Sequence, residues 1–301
     1  MPETEIPYKA IGSPIVELVP YDNLNFKTVT WKVPANVTRK GTIVYVHGFF
    51  EHSSIYTEFF DRLSQHGYEI FFFDQRGAGA TSPGKLVGKT DEFHTFDDLD
   101  FMLLRILAAR ENKAEKIFLA GHSMGGGIVL NYAIHGKYRD DIRGAFVLGP
   151  LVELHPKTRP NVVVMKLQPL INAIAPGLKV DSKLNYDYIT SNERWRNYIR
   201  ATDKKLIGTI RQFNDMFNRG WKLLEPAHVR QFSPSIPLLV FHGKDDNINH
   251  IEGTEKFLKL LPSSVESEFV AVPEARHSVF LEKDEIVSTV IDKVVEFLDK
   301  H

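Results

Sequence analysis

The sequence contains no cysteine, which excludes disulfides, thiolate metal sites and a cysteine nucleophile together. It has almost no net charge. Its 37 basic residues stand against 38 acidic ones, a balance without the electrostatic footprint of a nucleic-acid binder, so any membrane contact is expected to be apolar. It lacks an uninterrupted apolar run of about 18 residues, so no transmembrane helix is expected. The opening residues, MPETEIPYKAIGSPIVEL, show no basic stretch leading into an apolar core, and a cytoplasmic location is the expectation. There is no G-x-G-x-x-G dinucleotide fingerprint and no H-E-x-x-H pair, so neither a cofactor nor a metal is expected. What is present suits a soluble chain with a sizeable core: 43% hydrophobic and 25% charged residues over 301 positions.

Six short apolar runs bounded by turn residues occupy 42–48, 68–77, 116–123, 145–150, 237–243 and 267–272. Helical patterns separate them, which predicts an α/β fold with a mostly parallel sheet flanked by helices. In TFDDLDFMLLRILAAR, Leu99, Met102, Leu103, Ile106 and Leu107 recur at helical spacing behind an expected Thr95/Asp98 capping box. The C-terminal KDEIVSTVIDKVVEFLDK reads as a second sheet-covering helix. The alternation breaks after Pro150 and resumes near Pro234, with helical stretches and no convincing strand between. The chain therefore divides into a core of residues 1–150 and 235–301 and a helical cap of 151–234 inserted after the sixth strand. Within the cap, NVVVMKLQPLINAIAPGL (161–178) is apolar at eleven of eighteen positions. It reads either as a helix buried on the core or as a lipid-facing surface, while Lys166, Pro169 and Asn172 argue against a span. A second stretch places Leu206, Ile210, Phe213, Phe217 and Trp221 on one helical face.

The third run ends in Gly121-His122-Ser123-Met124-Gly125, a G-x-S-x-G pattern between a strand and a helix. That context is a nucleophile elbow, a tight turn that lifts a serine hydroxyl above the sheet and demands small neighbours. A nucleophilic serine needs a base and an orienting carboxylate, in this fold following in the order Ser, Asp, His. The run ending HGKDDNIN offers Asp246 at the usual spacing, with Asp245 as competitor, and PEARHS supplies His277 at the next strand end. The oxyanion needs two backbone donors: the N–H of Met124, after the nucleophile, and that of Phe49, in the HGFFEHS loop. GATSPGKL (79–86) has the spacing of a phosphate-binding loop. Leu86 stands where a magnesium-binding Ser or Thr belongs, however, and Pro83 removes a backbone N–H.

Taken in order, HGFFEHS, FFFDQRGAGATSPG, GHSMGGGIVLNYA, HGKDDNIN and ARHS resemble the monoacylglycerol lipases of the α/β-hydrolase superfamily. The resemblance implies hydrolysis of monoacylglycerol to fatty acid and glycerol at a membrane or lipid-droplet surface, beneath a helical cap over an acyl tunnel. It implies Ser123, Asp246 and His277 as catalytic residues, Phe49 and Met124 as oxyanion donors, and Glu51 as an acid near the glycerol. The chain departs from the family in having Phe50 where the loop commonly has glycine, Ile55 where animal members have arginine, and Phe280 where they have histidine. The alternatives are a broader carboxylesterase, lysophospholipase or thioesterase and, in a different class, a catalytically silent lipid-binding protein of the same fold.

Overall fold

Residues alternate between two cores along each central strand, and this follows from the two-residue period of extended backbone. In the central strand β3 (Gly41–Val46), Ile43 and Tyr45 pack into one core while Val44 and Val46 pack into the other. The computed structural model describes residues 5–203 and 205–301. Two strands, β1 (Ile15–Tyr21) and β2 (Leu24–Trp31), lead into β3, α1 (Thr57–Gln65) and β4 (Tyr68–Phe73). Next come α2 (Glu92–Ala109), β5 (Ile117–His122), α3 (Met124–His135) and β6 (Ile142–Leu148). An inserted segment then holds α4 (Val162–Ile174), β7 (Lys179–Asp181), α5 (Glu193–Thr202), β8 (Ile207–Thr209), α6 (Ile210–Lys222) and α7 (Pro226–Val229). Strand β9 (Leu238–Gly243), α8 (Ile251–Leu260), β10 (Ser267–Val272) and α9 (Asp284–Lys300) complete the chain.

The main sheet has eight strands in the order β1-β2-β4-β3-β5-β6-β9-β10. The six runs anticipated from the sequence are its six parallel strands, from β4 to β10. Both faces of β4, β3, β5, β6 and β9 are covered, so they read as continuous apolar stretches, whereas β10 at the edge is only partly buried. Helices α1 and α9 bury Phe59, Phe60, Val290 and Val294 on one face, and α2, α3 and α8 bury Met102, Val129 and Phe257 on the other.

Three local expectations differ from the structure. An antiparallel hairpin, β1–β2, precedes the six runs: its Asp22-Asn23 turn takes positive φ at both residues, and Ile15, Val16 and Leu18 on the edge strand are exposed, which hides the usual alternation in the sequence. The inserted segment contains a strand pair, β7 against β8, each three residues long. Helix α2 begins a turn earlier than the Thr95/Asp98 box implied. Asp91 is its N-cap and accepts from the His94 N–H at 2.9 Å, while Asp98 is buried and holds the Arg76 guanidinium at 2.7 and 2.8 Å.

The insertion sits on the core at defined points. Arg219 of α6 pairs with Glu92 at 2.6 Å, and Gly220 lies so close to Val152 that a Cβ would fall 2.6 Å from its carbonyl oxygen. Helix α4 differs: none of its residues is buried.

Candidate active site

Ser123 is the single residue between β5 and α3, with φ 54° and ψ −119°. A side-chain-bearing residue there costs about 1–3 kcal/mol of backbone strain, which the surroundings must hold in place. They do so through the Ser123 N–H on the Leu148 carbonyl at 3.0 Å and the Ser123 carbonyl accepting from Gly127 and Leu151 at 3.0 and 2.9 Å. The glycines are steric requirements of this turn. A Cβ on Gly121 would stand 2.6 Å from the Gly125 carbonyl oxygen, and one on Gly125 would stand 2.0 Å from that of Val46. Gly127 meets the Leu151 carbonyl at 2.8 Å in the same sense, so α3 starts tight against the sheet.

In the turn after β9 the two neighbouring carboxylates stand in different surroundings. Asp245 is exposed; Asp246 is buried, and its Oδ2 accepts from His277 Nδ1 at 2.8 Å. The other oxygen, Oδ1, accepts the backbone N–H groups of Ile248 and Asn249 at 2.7 and 2.9 Å, and His242 Nε2 lies 3.2 Å from Oδ2. Burial alone would raise the carboxyl's pKa, but His277 and His242 outweigh it and hold Asp246 well below the usual carboxylate range. For His277 burial is the larger influence and lowers its pKa, against the pull of Asp246. Its imidazole is thus neutral near pH 7, with Nδ1–H on Asp246 and Nε2 free to accept a proton. The His277 loop is pinned by the insertion: its N–H donates to the Tyr188 carbonyl at 3.3 Å and Ser278 N–H to that of Ile189 at 2.8 Å.

Both expected oxyanion donors stand at suitable turns. Met124 opens α3, where the first N–H groups have no carbonyl one turn back to bond. In the loop after β3, His47 Nε2 accepts from Gln75 N–H at 2.9 Å, so its proton is on Nδ1, which donates to the Gly48 carbonyl at 2.7 Å. A trans peptide points its N–H opposite its C=O, so this bond turns the Phe49 N–H to the other side. Phe50 occupies the position usual for glycine and takes φ 60°, the left-handed conformation that glycine would favour.

Glu51 lies at the cavity wall and is heavily engaged. Its carboxylate accepts from the Gly48 N–H, the Tyr56 hydroxyl and His122 Nδ1, the last at 2.7 Å. Burial raises its pKa, yet His122 and Tyr56 bring it down to about 2. His122 in turn reaches the His277 carbonyl at 3.3 Å, with the two rings 4.6 Å apart. Ile55 and Phe280 are both buried, Phe280 stacked on Tyr56 at 4.7 Å, so this end of the site lacks the arginine and histidine of the animal pattern.

Ser123, His277, Phe49 and Glu51 all open onto one cavity of about 370 Å³, walled by Leu151, Ile171, Ile210, Phe213 and Phe217 among other apolar residues. Helix α4 supplies Val164, Gln168 and Ile171 to that wall. An adjoining stripe, Val163, Leu167, Leu170 and Ile174, is exposed to solvent. Of the two readings of 161–178, burial on the core is therefore not what the helix does. Asn249, His122 and Tyr56 were not anticipated as parts of the site. Only His122 carried a signal, through its place next to the serine.

The family model described as serine aminopeptidase, S33 (Hydrolase_4) matches residues 38–284. The chain is 38% identical to the monoglyceride lipase of Saccharomyces cerevisiae over 98% of its own length and 96% of that protein's. It is 34% identical to a putative monoglyceride lipase of Schizosaccharomyces pombe, over 86% of this chain and 67% of the relative. The crystal structure of a soluble variant of the S. cerevisiae enzyme in complex with a substrate analog superposes with a TM-score of 0.91, covering 99% of both chains. With an elbow serine, a Ser-Asp-His order and near full-length similarity all in agreement, the chain belongs to the monoglyceride lipase family of α/β-hydrolases.

Proposed function

We propose that this protein hydrolyses monoacylglycerols to fatty acid and glycerol through an acyl-enzyme on Ser123. The observation that carries the reading is the buried Asp246–His277 pair, 2.8 Å apart, opening with Ser123 onto a single apolar cavity. In this mechanism Ser123 Oγ attacks the ester carbonyl while His277 Nε2 takes its proton. The Phe49 and Met124 N–H groups hold the oxyanion, and His277 passes the proton to the departing glycerol oxygen. Water then attacks the acyl carbon by the same route. Three donors occupy the Glu51 carboxylate, leaving one of its roughly four acceptor sites for a glycerol hydroxyl.

The cavity lining also favours an uncharged head group. Among the described residues it includes Glu51, Asp181 and Asp203 but no lysine or arginine, so a phosphate would meet like charge. A lysophospholipase or acyl-CoA thioesterase is disfavoured on this ground. A panel of mono-, di- and triacylglycerols, lysophospholipids, acyl-CoA and short soluble esters tests it. Monoacylglycerol is expected to give the highest kcat/KM, and Ser123→Ala to lose at least about 10³-fold. A lysophospholipid or acyl-CoA preferred over monoacylglycerol overturns the substrate assignment; undiminished hydrolysis by the variant overturns the nucleophile.

The same reading places residues 151–234 as a cap whose helix α4 rests on a lipid surface. The support is that Val164, Gln168 and Ile171 line the cavity while an adjoining apolar stripe, Val163, Leu167, Leu170 and Ile174, faces solvent uncovered. Acyl chains leaving a bilayer or lipid droplet would then enter along a continuous apolar path. Among the described residues no helix is long and apolar enough to cross a membrane, and the proposed association is peripheral, from the cytoplasmic side.

A further inference from the structure

Asn249 joins the two halves of the site. Its backbone N–H holds Asp246 Oδ1 at 2.9 Å and its carbonyl oxygen accepts from His242 Nε2 at 3.3 Å. Its side-chain Nδ2 donates to the Gly149 carbonyl at 2.8 Å and to Ser123 Oγ at 3.4 Å. The Gly149 bond fixes which way the amide faces, because a flipped amide would set two carbonyl oxygens against each other. The residue is buried, and its position is pinned from the backbone as well as the side chain. A neutral N–H donor is therefore held beside the reacting oxygen by the same residue that helps hold the triad carboxylate.

We propose that Asn249 is a catalytic residue whose N–H stabilises Ser123 Oγ as a leaving group, speeding release of the acyl chain. This rests on the serine-hydrolase reading above. In acylation Oγ forms its bond to the acyl carbon and becomes an ester oxygen, a weak acceptor. In deacylation His277 takes a proton from water as the water oxygen bonds to the acyl carbon. The tetrahedral adduct then collapses, the C–Oγ bond breaks, and its electron pair returns to Oγ. His277 Nε2 delivers its proton to that pair while the fatty acid departs. Charge accumulates on Oγ as this bond breaks, and the Asn249 N–H meets it there. The donor thus favours the free enzyme over the acyl-enzyme, aiding deacylation and weakly opposing acylation.

The test separates the two steps. Asn249→Leu and Asn249→Ala both remove the donor but fill the space differently, so a kinetic pattern common to both is due to the N–H. Melting temperature checks each fold. Stopped-flow release of p-nitrophenol from p-nitrophenyl decanoate reports acylation in the burst and deacylation in the steady state. Intact mass after acid quench reports the fraction of protein carrying the acyl group. In both variants, deacylation is expected to fall about tenfold with acylation changed less than about threefold, and the acylated fraction to rise. Equal slowing of both steps, which a merely structural role produces, overturns the proposal, as does an unchanged ratio in folded variants. Wild-type protein that forms no acyl adduct overturns the serine-hydrolase reading itself, a result distinct from either.

Discussion

Asp246→Asn changes one atom pair and reverses the direction of a proton. Asp246 Oδ1 accepts two backbone N–H groups, from Ile248 and Asn249, so the amide oxygen of an introduced asparagine must stay on that side. Its NH₂ then faces His277 Nδ1, now at 2.8 Å from a carboxylate oxygen. Two donors cannot share that contact, so Nδ1 gives up its proton and accepts, and the ring's hydrogen moves to Nε2. The base is then blocked on the face that must take the proton of Ser123. Loss of the correct tautomer in a Ser-His-Asp triad lowers kcat about 10⁴-fold, or about 5.5 kcal/mol of barrier. Asp245→Asn, on an exposed side chain next door, is expected to change kcat less than about twofold. Initial-rate release of fatty acid from monoacylglycerol by both purified variants, with melting temperatures to confirm folding, measures the contrast. A larger loss from Asp245→Asn, or less than about tenfold from Asp246→Asn, would refute the reasoning.

The strain at Ser123 predicts that Ser123→Gly melts above Ser123→Ala, by about 2 °C for about 1 kcal/mol of relieved strain; equal melting temperatures by calorimetry would show that φ 54° costs nothing here. Gly125→Ala puts a Cβ 2.0 Å from the Val46 oxygen, so about 4 kcal/mol or more of destabilisation and loss of activity are expected, checked by thermal melting; a wild-type melting temperature would contradict the close approach. Because burial lowers the pKa of His277, kcat/KM should rise with pH through a midpoint below 6.5 and then level off, since the protonated ring cannot act as base. The same shift makes the unfolded chain bind the extra proton first, so this residue's contribution to stability is lost as pH falls from about 6.5 through the folded pKa. An acid limb centred above 7 would contradict the assignment. Replacing Leu167 and Leu170 together by serine should weaken binding to phosphatidylcholine vesicles by on the order of tenfold or more, with little effect of salt on the wild type; salt-sensitive binding in sedimentation would point to charge instead.

The central parallel strands were legible because both their faces are buried, which makes each a short continuous apolar run. The edge hairpin was not, since exposed Ile15, Val16 and Leu18 break the pattern that marks a half-buried strand. The start of α2 was misread for a local reason. Asp91 caps the helix and Asp98 is spent on Arg76, and only the fold reveals which acid near a helix start has a partner elsewhere. For α4, apolar composition left both burial and lipid contact open; in the structure one set of residues lines the cavity and an adjoining stripe is uncovered.

Residue order and type alone pointed to Ser123 as nucleophile, His277 as its base and the hydrolytic chemistry proposed to join them. A strained turn tolerates very few residues, and G-x-S-x-G between strand and helix leaves little else to read. Tertiary structure decided everything that depends on contacts distant in sequence. It chose Asp246 over its neighbour by burial and by the approach of His277 from 31 positions away. It also tied Glu51 to His122, anchored the His277 loop on Tyr188 and Ile189 of the insertion, and brought Asn249 to a serine 126 residues earlier. A local motif is written in neighbouring side chains, whereas the direction of a hydrogen bond between remote strand ends exists only once the sheet has set them side by side.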